Sequence, residues 1–199
     1  MIQQYLALGD SYTIGEGVAL FDSFPYQLTR ALREKGIAVS APEIVAKTGF
    51  TTGELLSQLA AASLLHQYQL VTLLIGVNNQ YRGLTVDRFR MELDSILEIA
   101  LQATGNAPAR VHVLSIPDYG KSPFARQLDQ EKITEEIRLL NYLKAEACNE
   151  KRVSFTDITT TGNRVPGPDL FAEDGLHPAP AEYRRWVELL LQNINLNVY

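Results

Sequence analysis

The sequence predicts an α/β fold: three α/β/α layers with a five-stranded parallel sheet in the flavodoxin-like order 2-1-3-4-5. Two observations carry this. Five apolar, strand-length runs alternate with stretches of helical periodicity, the pattern of right-handed βαβ units. The third run, Leu-Val-Thr-Leu-Leu-Ile-Gly, is apolar almost throughout, as a strand covered on both faces should be. The 199 residues suit one compact domain, 1–199, with no internal repeat, low-complexity tract or linker.

The first strand is expected over residues 2–8 and stops on Gly9-Asp10-Ser11, where glycine lets the chain turn. Ser23-Phe24-Pro25 then opens a helix, with proline near its first position, and Gly36 ends it. The second strand, 43–48, carries β-branched Ile44 and Val45. Thr51 and Glu54 have capping-box spacing ahead of Leu55, Leu56 and Leu59. The third strand is 70–76. From Val86, the residues Phe89, Leu93, Ile96, Leu97 and Ala100 keep helical spacing as far as Gly105. The fourth strand is 110–116. Ile133, Ile137, Leu140 and Ala147 mark a further helix, and the fifth strand is 153–157. An irregular stretch, 159–174, precedes a last amphipathic helix bearing Trp186, Val187, Leu190, Leu191 and Ile194.

Composition narrows the function classes. Hydrophobic residues make up 46% and charged residues 21%, an ordinary globular balance. A formal charge of −5 without a basic cluster argues against nucleic acid as a partner. Cys148 is the single cysteine, so no intrachain disulfide forms, and it reads as structural filler in a charged helix. No apolar run reaches membrane-span length, so no integral membrane association is expected. With no leader visible ahead of the first strand, a cytoplasmic location is the default expectation, with export after removal of a leader as the alternative. Neither zinc-type spacing nor clustered cysteines call for a metal, and no cofactor is expected.

Four segments then fall on the carboxyl edge of the sheet, where open α/β sheets bind ligands. Ser11 follows strand one, Gly49 follows strand two, Asn78 follows strand three, and Asp174 and His177 precede the last helix. Together they supply what acyl transfer needs. Ser11 is an oxygen nucleophile. His177 is a base that titrates near neutral pH, and Asp174, three residues earlier, can orient its ring. The amides of Ser11 and Gly49 and the side chain of Asn78 can donate to an oxyanion. His66 and His112 lie away from this edge and read as structural.

The order Gly-Asp-Ser, lone Gly, Gly-x-Asn, then Asp-x-x-His-Pro resembles the SGNH hydrolases, also called the GDSL esterase/lipase family, from Gly9 to Pro178. By that resemblance Ser11, Gly49, Asn78 and His177 match the four residues behind the family name, and Asp174 matches the third triad member. The resemblance implies the SGNH hydrolase fold and a serine hydrolase that cleaves carboxylic esters through an acyl-enzyme without a cofactor. Its partner would be a small-molecule ester: short- to medium-chain acyl esters, lysophospholipids or acetylated sugars. Two departures stand out. Asn79 replaces the aspartate usual after Gly-x-Asn, and restoring that aspartate is expected to be tolerated. Tyr12 stands where leucine usually follows the serine.

Three loops, 14–21, 80–84 and 117–125, are expected to line the pocket. They offer Phe21, Tyr81, Tyr119 and Phe124 as walls, with Arg82 and Lys121 as charges that read first as solvated. Two other functions compete. The hydroxyls and glycines of 11–17 could cradle the phosphate of a nucleotide or flavin, although the Walker lysine and the third dinucleotide glycine are missing. The chain could also be an inactive binding domain.

Overall fold

The computed structural model describes residues 2–65, 67–159 and 168–196. Five strands form one sheet: β1 (Tyr5–Gly9), β2 (Glu43–Ala46), β3 (Leu70–Leu74), β4 (Val111–Leu114) and β5 (Ser154–Thr156). All four pairings are parallel and the order is β2-β1-β3-β4-β5, as the sequence predicts. Every residue of β1, β3 and β4 is buried, whereas edge strands β2 and β5 keep half-exposed positions. This follows from position: a central parallel strand is covered by neighbours and by helices on both faces.

The helices are α1 (Ser11–Ile14), α2 (Phe24–Glu34), α3 (Thr52–Ala61), α4 (Val77–Tyr81), α5 (Val86–Ala103), α6 (Gln130–Lys151) and α7 (Pro180–Asn193). α3 packs on α5 and α5 on α6, while α2 packs on α7. The sheet therefore has helices on both sides. Thr51 and Glu54 form the full capping box at the start of α3, satisfying two amides the helix leaves unpaired. α2 starts at Phe24 with Pro25 in its first turn. The Ser23 hydroxyl does not cap it and donates instead to the Leu20 carbonyl.

The strands are shorter than their apolar runs. Gln3 makes only an isolated bridge to Val39, so β1 starts at Tyr5. Ile75 leaves the sheet because its carbonyl accepts from the Lys144 ammonium, and Gly76 turns away at φ 126. Gly9 has a different role from the one read in the sequence. Its φ is not positive; a Cβ there would sit 2.3 Å from the Leu74 carbonyl and 2.1 Å from Thr13 Oγ1. Close packing of β1 against β3 and α1 is what requires glycine.

His112 lies in the middle of β4, paired to Thr72 and Ser154, and burial pulls its pKa down to about 4. Cys148 is buried in α6, and burial pushes its thiol up to about 12, so it is inert near neutral pH. His66 and most of the irregular stretch, 160–167, lie outside the described residues. Among the described residues, no helix is long and apolar enough to cross a membrane.

Candidate active site

Ser11 begins α1 directly after β1. Asp10 caps that short helix, its Oδ1 accepting from the Tyr12 amide at 3.0 Å. The capping reading of Asp10 and the nucleophile reading of Ser11 are therefore compatible: the cap fixes the turn that presents the serine. Gly49 sits just past β2 at φ 80, which explains why glycine is there. Its carbonyl accepts from the Arg82 guanidinium at 2.5 Å. Asn78 lies in the first turn of α4, where its Nδ2 donates to the Phe50 carbonyl at 3.0 Å. That bond uses one amide hydrogen and ties the Asn78 segment to the Gly49 segment.

His177 and Asp174 share one tight loop. Phe171 and Pro178 bridge across its neck, and the Ala172 amide donates to the His177 carbonyl at 2.7 Å. Asp174 Oδ1 accepts from the amides of Leu176 and His177, both at 2.9 Å. Asp174 Oδ2 lies 2.6 Å from His177 Nδ1. Partial burial alone would raise the Asp174 carboxyl, but the His177 ring and the two amides hold it below its ordinary value. The ring of Tyr12 packs edge-on to His177, with centroids 5.6 Å apart, and also against Trp186 of α7 at 6.1 Å.

An open cleft of about 200 Å³ brings these groups together. Its lining includes Ser11, Gly49, Asn78 and His177, with Tyr12, Val77 and Leu176 between them. Among the described residues, Ser11 Oγ makes no hydrogen bond to His177 Nε2. That bond is often long in unliganded sites and tightens around substrate.

The expected pocket walls divide. Tyr81, Tyr119 and Phe124 line the cleft as a row of aromatics, with centroids 6.3 and 6.5 Å apart. Tyr119 is buried and its hydroxyl donates to Gln80 at 2.7 Å. Phe21 is a correction. It is 64% exposed and borders a shallow groove with Tyr26, Arg30 and Arg33, because a short 3-10 turn, Leu20–Asp22, carries it away from the cleft. Arg82 is a second correction. It does not line the cleft, since it spans the Gly49 carbonyl and the Glu54 carboxylate. Lys121 faces Asp118 at 3.6 Å.

Four features escaped the sequence reading. Glu16 Oε2 lies 3.8 Å from His177 Nε2 and accepts from Thr48 Oγ1 at 2.5 Å. A carboxylate there is also what a phosphate cradle in that loop would have to avoid, which removes the motive for the nucleotide or flavin reading. Second, Lys144 is fully buried and reaches the Ile75 carbonyl, and among the described residues Asp10 Oδ2 is buried without a hydrogen bond, within electrostatic reach of that ammonium. Burial raises Asp10 to about 7 and lowers Lys144 to about 8, and their mutual attraction opposes both shifts.

Third, Asn79 is fully buried. Its Oδ1 accepts from the Thr52 amide at 3.0 Å and its Nδ2 donates to Thr52 Oγ1 at 2.6 Å. Thr52 Oγ1 in turn donates to Glu92 Oε2 at 2.5 Å. The loop is built around the amide, which speaks against the expectation that aspartate would be tolerated at 79. Fourth, Leu176 and Val77 form part of the cleft floor. Two of the four left a trace in the sequence: Asn79 as a departure from the Gly-x-Asn-Asp pattern, and Lys144 by falling four residues after Leu140 and three before Ala147 on the apolar stripe of α6.

With this geometry established, the comparisons decide the family. The model of the GDSL-like lipase/acylhydrolase family matches residues 7–185. The chain belongs to that family. It is a carboxylic-ester hydrolase with the α/β fold of its relatives. A crystal structure of TesA superposes with a TM-score of 0.75 at 18% identity, covering 99% of this chain and 100% of that one. The lipase/acylhydrolase from Enterococcus faecalis gives 0.72 at 23% identity, covering 96% and 95%. The psychrotrophic esterase EstA from Pseudoalteromonas sp., in a structure inhibited by monoethylphosphonate, gives 0.71 at 16%, covering 96% of each chain. No curated protein matches the chain by sequence.

Proposed function

We propose that this hydrolase works through an acyl-enzyme on Ser11, with His177 as the base and Asp174 as its orienting carboxylate. The observation that carries the reading is the 2.6 Å contact between Asp174 Oδ2 and His177 Nδ1 in a loop bordering the cleft that Ser11 lines. Because Nδ1 is engaged, Nε2 is the nitrogen left to take a proton.

In the first half-reaction Ser11 Oγ bonds to the ester carbonyl carbon as its proton passes to His177 Nε2. The carbonyl oxygen becomes an oxyanion, met by the amides of Ser11 and Gly49 and the second hydrogen of Asn78 Nδ2. The intermediate collapses, the C–O bond to the alcohol breaks, and His177 returns its proton to the departing oxygen. Water repeats the sequence on the acyl-enzyme and releases the carboxylic acid. Asp174 stays ionised and stabilises the imidazolium at each stage. No step requires a cofactor.

The aromatic row of Tyr81, Tyr119 and Phe124 suits a short- to medium-chain acyl group, because it is apolar and stands beside Asn78 and Ser11. The inhibition of the Pseudoalteromonas esterase by a phosphonate fits the same chemistry, since phosphonates trap activated serines. The test is direct. Ser11→Ala should lower turnover of 4-nitrophenyl acetate by at least a thousandfold and abolish labelling by a fluorophosphonate, with the far-ultraviolet circular dichroism unchanged. Turnover within tenfold of the parent would overturn the assignment.

A further inference from the structure

Glu16 has no part in the acyl-enzyme sequence, yet its carboxylate oxygen lies 3.8 Å from His177 Nε2. It is held there by more than chance. Its amide donates to the Ser11 carbonyl at 3.1 Å, and Thr48 Oγ1 donates to the same Oε2 at 2.5 Å. Gly15 and Gly17 flank it at φ 78 and 82, and a Cβ at Gly17 would come within 4 Å of both Asp174 and His177. The segment is therefore packed onto the His177 loop. The Glu16 side chain keeps 38% of its surface open to solvent, so a ligand can meet it.

Position relative to Nε2 defines which half of the substrate Glu16 meets. Nε2 hands its proton to the departing alcohol, so a group beside Nε2 stands beside the alcohol half of the ester. Among the described residues no lysine or arginine forms an ion pair with Glu16, and its charged neighbour is the His177 ring. No lysine or arginine lines the cleft among the described residues, and the two nearby cations are turned onto Glu54 and Asp118.

We propose that Glu16 selects the alcohol half of the substrate, favouring esters of alcohols that carry an ammonium group near the scissile oxygen over their neutral and anionic counterparts. The proposal rests on the acyl-enzyme reading and adds the class of leaving group to it. A carboxylate at roughly 5–7 Å from such an ammonium, at a half-exposed position, is worth about three- to tenfold in kcat/KM.

The experiment compares 2-(trimethylammonio)ethyl acetate with its uncharged carbon isostere, 3,3-dimethylbutyl acetate, in the parent protein and in Glu16→Gln and Glu16→Asp. The acyl group is the same in both esters, and their intrinsic reactivity difference is common to all three proteins. The ratio of the two kcat/KM values thus isolates the effect of charge. Glu16→Gln should lower that ratio about three- to tenfold, and Glu16→Asp, which keeps the charge, should preserve most of it. If either ester turns over too slowly, competition of the two free alcohols against 4-nitrophenyl acetate reports the charge preference of the alcohol site as a ratio of inhibition constants, which Glu16→Gln should lower in the same direction. A ratio that Glu16→Gln leaves unchanged, while 4-nitrophenyl acetate is still hydrolysed through Ser11, overturns the selectivity proposal alone. Hydrolysis of these esters that survives Ser11→Ala overturns the reading beneath it instead.

Discussion

The two halves of the candidate site are built in different ways. The half carrying Ser11, Gly49 and Asn78 sits at the ends of β1, β2 and β3 and is cross-linked by buried side chains distant in sequence. Lys144 reaches the Ile75 carbonyl across 69 positions, and Thr52 joins Asn79 and Glu92 at separations of 27 and 40. The half carrying His177 is a single loop bonded mainly within itself, with Asp174 accepting from His177 and Leu176, the Phe171–Pro178 bridge closing the neck, and the Phe124 amide reaching the Gly175 carbonyl from outside. The contrast follows from chemistry. Oxyanion donors must converge from three strands on one point, so the fold has to hold them. A carboxylate three residues from its histidine needs only a tight turn. Tyr12 links the halves, its ring touching both His177 and Trp186.

If the sheet-borne half depends on remote residues, Lys144→Met should show the largest effect. It leaves the Ile75 carbonyl unpaired and removes the cation opposing Asp10, which should cost about 3 kcal/mol or more of stability. Asp10 is raised to about 7 in the folded protein, above its unfolded value. The folded state therefore holds the proton longer, and this contribution is lost as pH rises through about 7. Lys144, lowered to about 8, acts oppositely: its contribution is present at high pH and lost as pH falls through about 8. Without Lys144 the Asp10 value rises further, so stability should keep falling between pH 7 and 9, by up to about 1.4 kcal/mol per pH unit. Urea denaturation at pH 6, 7.5 and 9 measures this. A variant whose stability tracked the parent across that range would show that Lys144 does not support Asp10.

The oxyanion donors give the next largest effect. Asn78→Ala should lower kcat about a hundredfold or more with little change in KM, because its second amide hydrogen matters mainly once the oxyanion forms. Steady-state kinetics on 4-nitrophenyl acetate separates the two constants. A change confined to KM would make Asn78 a ground-state contact.

The same contrast explains what could be read from the sequence. Signals that are local in the chain were legible: the alternation of runs, the Thr51–Glu54 cap, and Asp174 three residues from His177. The strand order fitted the alternation without being fixed by it, because pairing between strands distant in the chain decides it. Contacts between distant segments were not legible. Phe21 and Arg82 look like pocket residues by loop membership, yet a 3-10 turn exposes one and Glu54 with the Gly49 carbonyl captures the other. Glu16 between two glycines reads as a solvated turn, and only the fold brings it to His177. Lys144 reads as the solvated face of a charged helix unless its place on the apolar stripe outweighs its charge.

The smallest effect tests the tightest of these cross-links. Asn79 both donates to and accepts from Thr52, and a carboxylate can only accept. Thr52 has one hydroxyl proton, and Glu92 Oε2 already takes it at 2.5 Å. In Asn79→Asp two acceptors would compete for that proton, with a second negative charge beside Glu92 in a buried site. Arg88 compensates only one of them, since it bonds Glu92 Oε1 at 2.8 Å. The strain falls on the start of α3 and the turn of α4, which carry the Phe50 carbonyl and Asn78. A misplacement of a few tenths of an ångström should lower kcat about tenfold, less than deletion of the donor itself. Glu92→Gln, which removes the competing charge, should recover part of the loss when combined with Asn79→Asp, although on its own it weakens the bonds to Thr52 and Arg88. The coupling is read from a double-mutant cycle on kcat. Additive effects, or an Asn79→Asp variant as fast as the parent, would mean that the Thr52 cross-link does not position Asn78. The two halves of the site would then differ in architecture without differing in what they require of the rest of the fold.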